Sequence, residues 1–257
     1  MTITPAWPPN PLLWVLPEWP APASVRACVS TRRGPGVSVA PFDRFNLGSR
    51  CGDSSDAVSA NRAALVQALG LPMNPVWLHQ VHGTDVATIV AHVDPGEPRA
   101  DAAITRSRGI VLAILTADCL PILFASTDGV EIAAAHAGWR GLGAGIIEQT
   151  VAAMTTSPAN ITAWLGPAIG PQAYEVDGLV RDCFVNRDAA AAAAFHPVRS
   201  GHWRCDLYAL ARLRLQRLGI TQISGGDLCS HSDAQRFYSY RRDSANSGRM
   251  ASLIWRE

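Results

Sequence analysis

Ile110-Val111-Leu112-Ala113-Ile114-Leu115-Thr116 is almost wholly apolar and runs straight into Ala117-Asp118-Cys119-Leu120-Pro121. A run of this length with no polar alternation reads as a strand buried on both faces. Residues 130–135 are equally apolar, and 86–91, 161–165 and 250–255 are further strand candidates. Helical periodicity alternates with them. Ser59 is the expected cap of a helix over 60–69. Residues 143–154 place Ile146, Ile147, Val151 and Met154 along one stripe. Asp206 is the expected cap of 207–218, with Leu210, Leu213 and Leu218 toward the core and Arg212, Arg214 and Arg217 largely toward water. This mixture predicts an α/β or α+β layered fold around at least one mostly buried sheet.

The 257 residues, 48% hydrophobic and 17% charged, suffice for one large domain or two small ones. No repeat and no linker divides the chain. A net charge of +1 gives no reason to expect nucleic acid or an anionic membrane as partner. All 22 basic residues are arginine, which excludes Schiff-base, P-loop and general-base lysine chemistry. Residues 1–27 lack a basic n-region and are broken by prolines, so no signal peptide is expected; 1–26 read as an irregular, proline-rich lead-in. The apolar stretch 109–125 is interrupted by Asp118 and Pro121 and is short for a membrane span. Six dispersed cysteines without a secretory signal predict reduced thiols in a cytoplasmic protein. The alanine run at 189–194 reads as a helix-compatible surface insertion.

Chemistry concentrates at strand ends. Asp118 and Cys119 follow the first apolar strand, and Ala135-His136-Ala137-Gly138-Trp139-Arg140-Gly141 closes the second. If the two are neighbours joined by a turn at 126–129, Cys119 and His136 sit at matching heights. His79-Gln80-Val81-His82-Gly83 precedes the strand at 86. One thiolate and two imidazoles make a zinc-type set, and three protein ligands leave a position open for chemistry. Either His79 or His82 is eligible as the third ligand on spacing alone, and each residue taken singly has a structural explanation. Gly141-Leu142-Gly143-Ala144-Gly145-Ile146 misses the last glycine of a dinucleotide fingerprint. A helix start beside Arg140 remains as an anion site, phosphate for example. In Phe237-Tyr238-Ser239-Tyr240-Arg241-Arg242-Asp243, aromatics interleaved with arginines suit a planar base and an anion, or a solvated loop.

Together these segments resemble the bacterial YfiH family, also called DUF152 or the polyphenol oxidoreductase laccase family and related to the human FAMIN protein. Gln80-Val81-His82-Gly83, Thr116-Ala117-Asp118-Cys119-Leu120-Pro121, the His136 segment, Leu165-Gly166-Pro167-Ala168-Ile169-Gly170 and the Tyr238 segment carry the match, and Asn46-Leu47-Gly48 with Cys51-Gly52-Asp53 looks like its N-terminal motif. The match runs from about residue 27 to 255. The resemblance implies a single-domain α/β/β/α sandwich with mixed sheets, spanning residues 1–257 with the lead-in at its start. It places the metal ligands on His82, Cys119 and His136. It implies zinc-dependent purine nucleoside phosphorylase activity on adenosine, inosine and methylthioadenosine, with adenosine deaminase activity.

Purine nucleoside and phosphate are therefore the expected partners. Arg140 is the candidate for phosphate and Asp118 the candidate acid/base, or else a residue orienting a ligand. Asn46, Tyr238, Arg241 and Arg242 are the candidates for substrate binding. A laccase is disfavoured because the chain has no His-x-His pair, although copper could displace zinc in vitro. A metal-free Cys–His amide hydrolase acting on a peptidoglycan precursor is the competing class, and a structural zinc with His79 or Asp118 as fourth ligand is a third.

Overall fold

The apolar run beginning at residue 110 folds as two strands lying in different sheets. The computed structural model describes residues 10–91 and 96–257; the first nine residues of the lead-in lie outside them. Along the chain run β1 (Trp14–Val15), β2 (Val25–Ser30), α1 (Ser55–Leu69), β3 (Val86–Thr88), β4 (Ala102–Thr105), β5 (Val111–Thr116), β6 (Leu120–Ser126) and β7 (Ile132–Ala137). Then follow α2 (Trp139–Ala144), α3 (Ile146–Ala153), β8 (Ile161–Leu165), β9 (Glu175–Asp177), α4 (Gly178–Val185), β10 (Phe195–Arg199) and β11 (His202–Cys205). The chain ends with α5 (Leu207–Arg217), β12 (Gln222–Gly225), α6 (Tyr240–Asp243) and β13 (Met250–Arg256).

One sheet has the order β1-β2-β13-β5, a second β12-β8-β6-β7-β4-β3, and a small third β10-β11-β9. Side-chain alternation sets the layers. In β5, Leu112 and Ile114 share a core with Leu123 and Ala125 of β6 and Ile132 and Ala134 of β7, so the two large sheets pack face to face. Val111 and Ala113 point the other way, onto Leu65 and Leu69 of α1. Leu120, Ile122 and Phe124 of β6 and Ala133 and Ala135 of β7 also point away from the shared core, onto Ile146 and Ile147 of α3 and Leu210 and Leu215 of α5. The result is the α/β/β/α layering that the family resemblance implied. It also explains why these strands show no polar alternation: both faces are covered.

The strand at 110–116 is not the hairpin neighbour of 130–135 that was expected: β5 pairs with β13 in the other sheet, and the 126–129 turn joins β6 to β7, with Leu120 opposite Ala137 and Pro121 opposite His136. Asp128 builds the turn by accepting from Ser126 Oγ at 2.6 Å and the Val130 amide at 2.9 Å. Other boundaries moved. Helix α1 starts at Ser55, a turn before the expected Ser59 cap, and ends where Gly70 turns left-handed at φ 59°. The helix expected over 143–154 is broken at Gly145, whose φ of 112° separates α2 from α3. Asp206 caps α5 as expected, accepting from the Ala209 amide at 3.0 Å. The lead-in is not wholly irregular: Trp14 is buried and packs edge-on against Phe45, while β1 edges β2. Residues 189–194 form a 3-10 helix whose Ala191 and Ala194 enter the core, so they are more than a surface insertion.

Candidate metal centre

β5 and β6 belong to different sheets, and the three residues between them cross from one to the other at the open end of the gap. Asp118 and Cys119 lie at this crossing, with Asp118 at φ 85°. By the two-residue period of β7, His136 faces the same gap as Ile132 and Ala134. His82 arrives on a loop whose backbone turns left-handed at φ 62°. Ligand atoms of His82, Cys119 and His136 all lie within 4.8 Å of one another, and Cys119 Sγ is 3.7 Å from His82 Nε2. Among the described residues no fourth His, Cys, Asp or Glu joins the group, so neither His79 nor Asp118 completes a closed structural site.

Asp101, which sequence reasoning missed, organises the group. Its side chain is fully buried and accepts His136 Nδ1–H at 2.8 Å. It also accepts the amides of Val81, His82 and Gly83 at 3.1, 2.9 and 2.7 Å, gathering the His82 loop around one carboxylate. Burial would raise this carboxyl, but the His136 hydrogen bond and the Gly83 and Val81 amides outweigh it and hold the group below its ordinary value. No sequence signal marked it, because the short strand β4 that it precedes escaped the reading. Gln80 fastens the same loop to β5, its amide exchanging two 2.8 Å hydrogen bonds with the Leu115 backbone.

Burial would raise the Cys119 thiol, yet His136 and His82 bring it down to about 6. Burial would lower His136, yet Cys119 and Asp101 bring it up to about 9. Close approach also fixes Gly138: a Cβ there would lie 2.8 Å from Cys119 Sγ and 3.1 Å from His82 Cδ2. The donor set fits a metal, since a thiolate and two imidazoles converge, with a carboxylate orienting one imidazole from behind.

The group opens into a cavity of about 590 Å³. Leu78, Leu115, Ala117 and Ile169 supply apolar wall, while Arg50, Arg140, Arg241 and Arg249 bring positive charge. Arg140 stacks on Trp139 and has no carboxylate partner among the described residues. Arg241 lies over the Tyr174 ring at 5.2 Å. The expected helix start beside Arg140 belongs to α2, which has only six residues.

The remaining sequence candidates differ in where they sit. Asp118 lines the cavity, but its carboxylate accepts from Ser230 Oγ, Ser239 Oγ and the Arg241 amide at 2.6, 3.0 and 2.6 Å. Tyr238 is buried in the core between the sheets and donates to the Phe42 carbonyl; Tyr240 and Tyr174 reach the cavity instead. Arg242 is spent on Asp243 and the carbonyls of Ser230, His231 and Phe237. Asn46 is fully buried, bridging Gly48, Asp53 and Arg249, and so shapes the cavity loop without touching the cavity. The structure therefore keeps Asn46, Tyr238 and Arg242 off the cavity wall, because hydrogen bonding and burial claim them first.

A family model described as multi-copper polyphenol oxidoreductase laccase matches residues 26–257. A Xylella fastidiosa (strain Temecula1) protein named purine nucleoside phosphorylase is 56% identical over 254 residues, covering 94% of this chain and 96% of its own. An Escherichia coli K12 protein named purine nucleoside phosphorylase YfiH is 52% identical over 246 residues, covering 94% and 98%. The crystal structure of a Neisseria meningitidis protein of family DUF152 superposes with TM-score 0.90 at 44% identity, over 95% of this chain and 99% of that one.

Proposed function

The chain belongs to the family described as multi-copper polyphenol oxidoreductase laccase, that of the YfiH and DUF152 proteins, and we propose that it is a zinc-dependent purine nucleoside phosphorylase. The observation that carries this is the open three-ligand group at one end of a cavity lined by arginines. His82, Cys119 and His136 would hold the metal. When bound, it supplies Lewis acidity at the position these side chains leave open.

Phosphorolysis breaks the bond from ribose C1′ to the purine as a phosphate oxygen bonds to C1′; the base departs with the electron pair and takes a proton. Arg140 and Arg241 flank Tyr174 at the cavity and suit a phosphate dianion. Burial keeps the Tyr174 hydroxyl protonated, so it can donate to that anion. Asp118 acts through its neighbours: the hydrogen bonds it accepts from Ser239 Oγ and the Arg241 amide fix the α6 start, and with it Arg241 and Tyr240. We extend this proposal to deamination of adenosine, in which a water oxygen replaces the C6 amino group and ammonia leaves. Six free cysteines accord with a reducing, cytoplasmic setting. No helix among the described residues is long and apolar enough to cross a membrane.

One observation favours a second reading. Cys119, His136 and Asp101 form a thiol–imidazole–carboxylate chain, the arrangement of a metal-free Cys–His amide hydrolase. A multicopper oxidase fits less well, since one His–Cys–His group is gathered among the described residues. Incubating the protein with adenosine, with and without phosphate, separates the readings. Adenine plus ribose 1-phosphate supports phosphorolysis and inosine supports deamination; neither product would return the assignment to the amide hydrolase.

A further inference from the structure

Thr116 ends β5 on the same side as Leu112 and Ile114, facing the gap between the sheets into which His136 also points. It lines the cavity, yet its residue is only 2% exposed and its Oγ1 is buried with no hydrogen-bond partner among the described residues. A buried hydroxyl without a partner destabilises the free protein, and valine has the same shape without that cost. Ser252 Oγ, in β13, is likewise buried and unpartnered, but Ser252 does not reach the cavity. The contrast between the two hydroxyls points to a ligand at Thr116.

Its surroundings say what kind. Leu78, Leu115, Ala117 and Ile169 give the cavity apolar walls suited to a flat ring, while the exposed guanidinium groups of Arg50, Arg140 and Arg241 draw anions toward the mouth. We propose that Thr116 Oγ1 hydrogen-bonds the edge of the purine base, seating the ring among these apolar walls. This rests on the nucleoside reading above and adds the group that recognises the base. Threonine can donate or accept here, so ring nitrogens and the 6-substituent are both eligible partners.

The test is equilibrium binding of inosine, which neither proposed reaction consumes without phosphate, by calorimetry on the metal-loaded protein. Thr116→Val is expected to weaken binding about fivefold to tenfold while its melting temperature holds or rises, the loss of one neutral hydrogen bond at no cost to the fold. Thr116→Ser is expected to keep the affinity, and Ser252→Ala to leave it unchanged. Wild-type affinity in Thr116→Val overturns the inference. So does weakening shared equally by Thr116→Ser together with a fall in melting temperature, which would mark a packing role. If the wild-type protein binds no purine nucleoside, it is the nucleoside reading that fails, and the base-recognition role fails with it.

Discussion

His136 Nδ1 stands 2.8 Å from Asp101 Oδ1, and the same carboxylate receives the amides of residues 81 to 83, so one buried anion sets both histidines of the metal-ligand group. His136 must then offer Nε2 to the site, and His82 is held on a left-handed turn that these amide bonds help to secure.

Asp101→Asn puts an amide NH2 where at least one of these donors needs an acceptor. Metal affinity should fall roughly 10- to 100-fold, the range for partners behind a metal ligand. Chelator competition on the refolded variant measures it; an unchanged affinity would contradict the role given to Asp101.

Gly138→Ala should damage the group without unfolding the chain. The added methyl meets Cys119 Sγ at 2.8 Å and His82 Cδ2 at 3.1 Å, so the ligands must separate. Loss of tight metal binding with a native circular dichroism spectrum is expected, and normal metal content in the variant counts against the geometry.

Thiolate chemistry in metal-free protein should follow pH in a fixed direction. Cys119 is brought down to about 6 and His136 up to about 9, so a thiolate–imidazolium pair prevails between them. Alkylation of Cys119, scored against Cys119→Ser, should rise with pH and reach half its maximum near 6. A midpoint near the ordinary 9.0 would falsify the coupling. Metal affinity should decline as acid protonates the same thiolate.

Arg140→Gln removes a guanidinium that no carboxylate neutralises among the described residues. The KM for phosphate should rise about tenfold, as expected for losing one charge-assisted hydrogen bond, with the nucleoside KM little changed. Equal effects on both substrates would place phosphate elsewhere.

The layers were legible because β5, β6 and β7 are buried on both faces, which erases polar alternation. The same erasure hid the crossing at residues 117–119, where one apolar run serves two sheets. His82, Cys119 and His136 stood out by residue type beside strand ends, and the resemblance singled out His82 over His79. Asp101 carried no such mark: a carboxylate whose partners, the 81–83 loop and His136, are all distant in sequence leaves no local pattern. Tyr238 and Arg242 misled for the opposite reason. Their aromatic and cationic character suggested a binding surface, but Tyr238 fills the core between the sheets and Arg242 clamps carbonyls. Tyr240 and Arg241, from the same motif, are the ones that reach the cavity.

Elemental analysis of protein purified without added metal bears most directly on the central claim, that His82, Cys119 and His136 hold a metal. About one zinc per wild-type chain is expected, falling close to zero in Cys119→Ala and His136→Ala. Metal-free wild-type protein with full activity, or zinc retained in both variants, would contradict it.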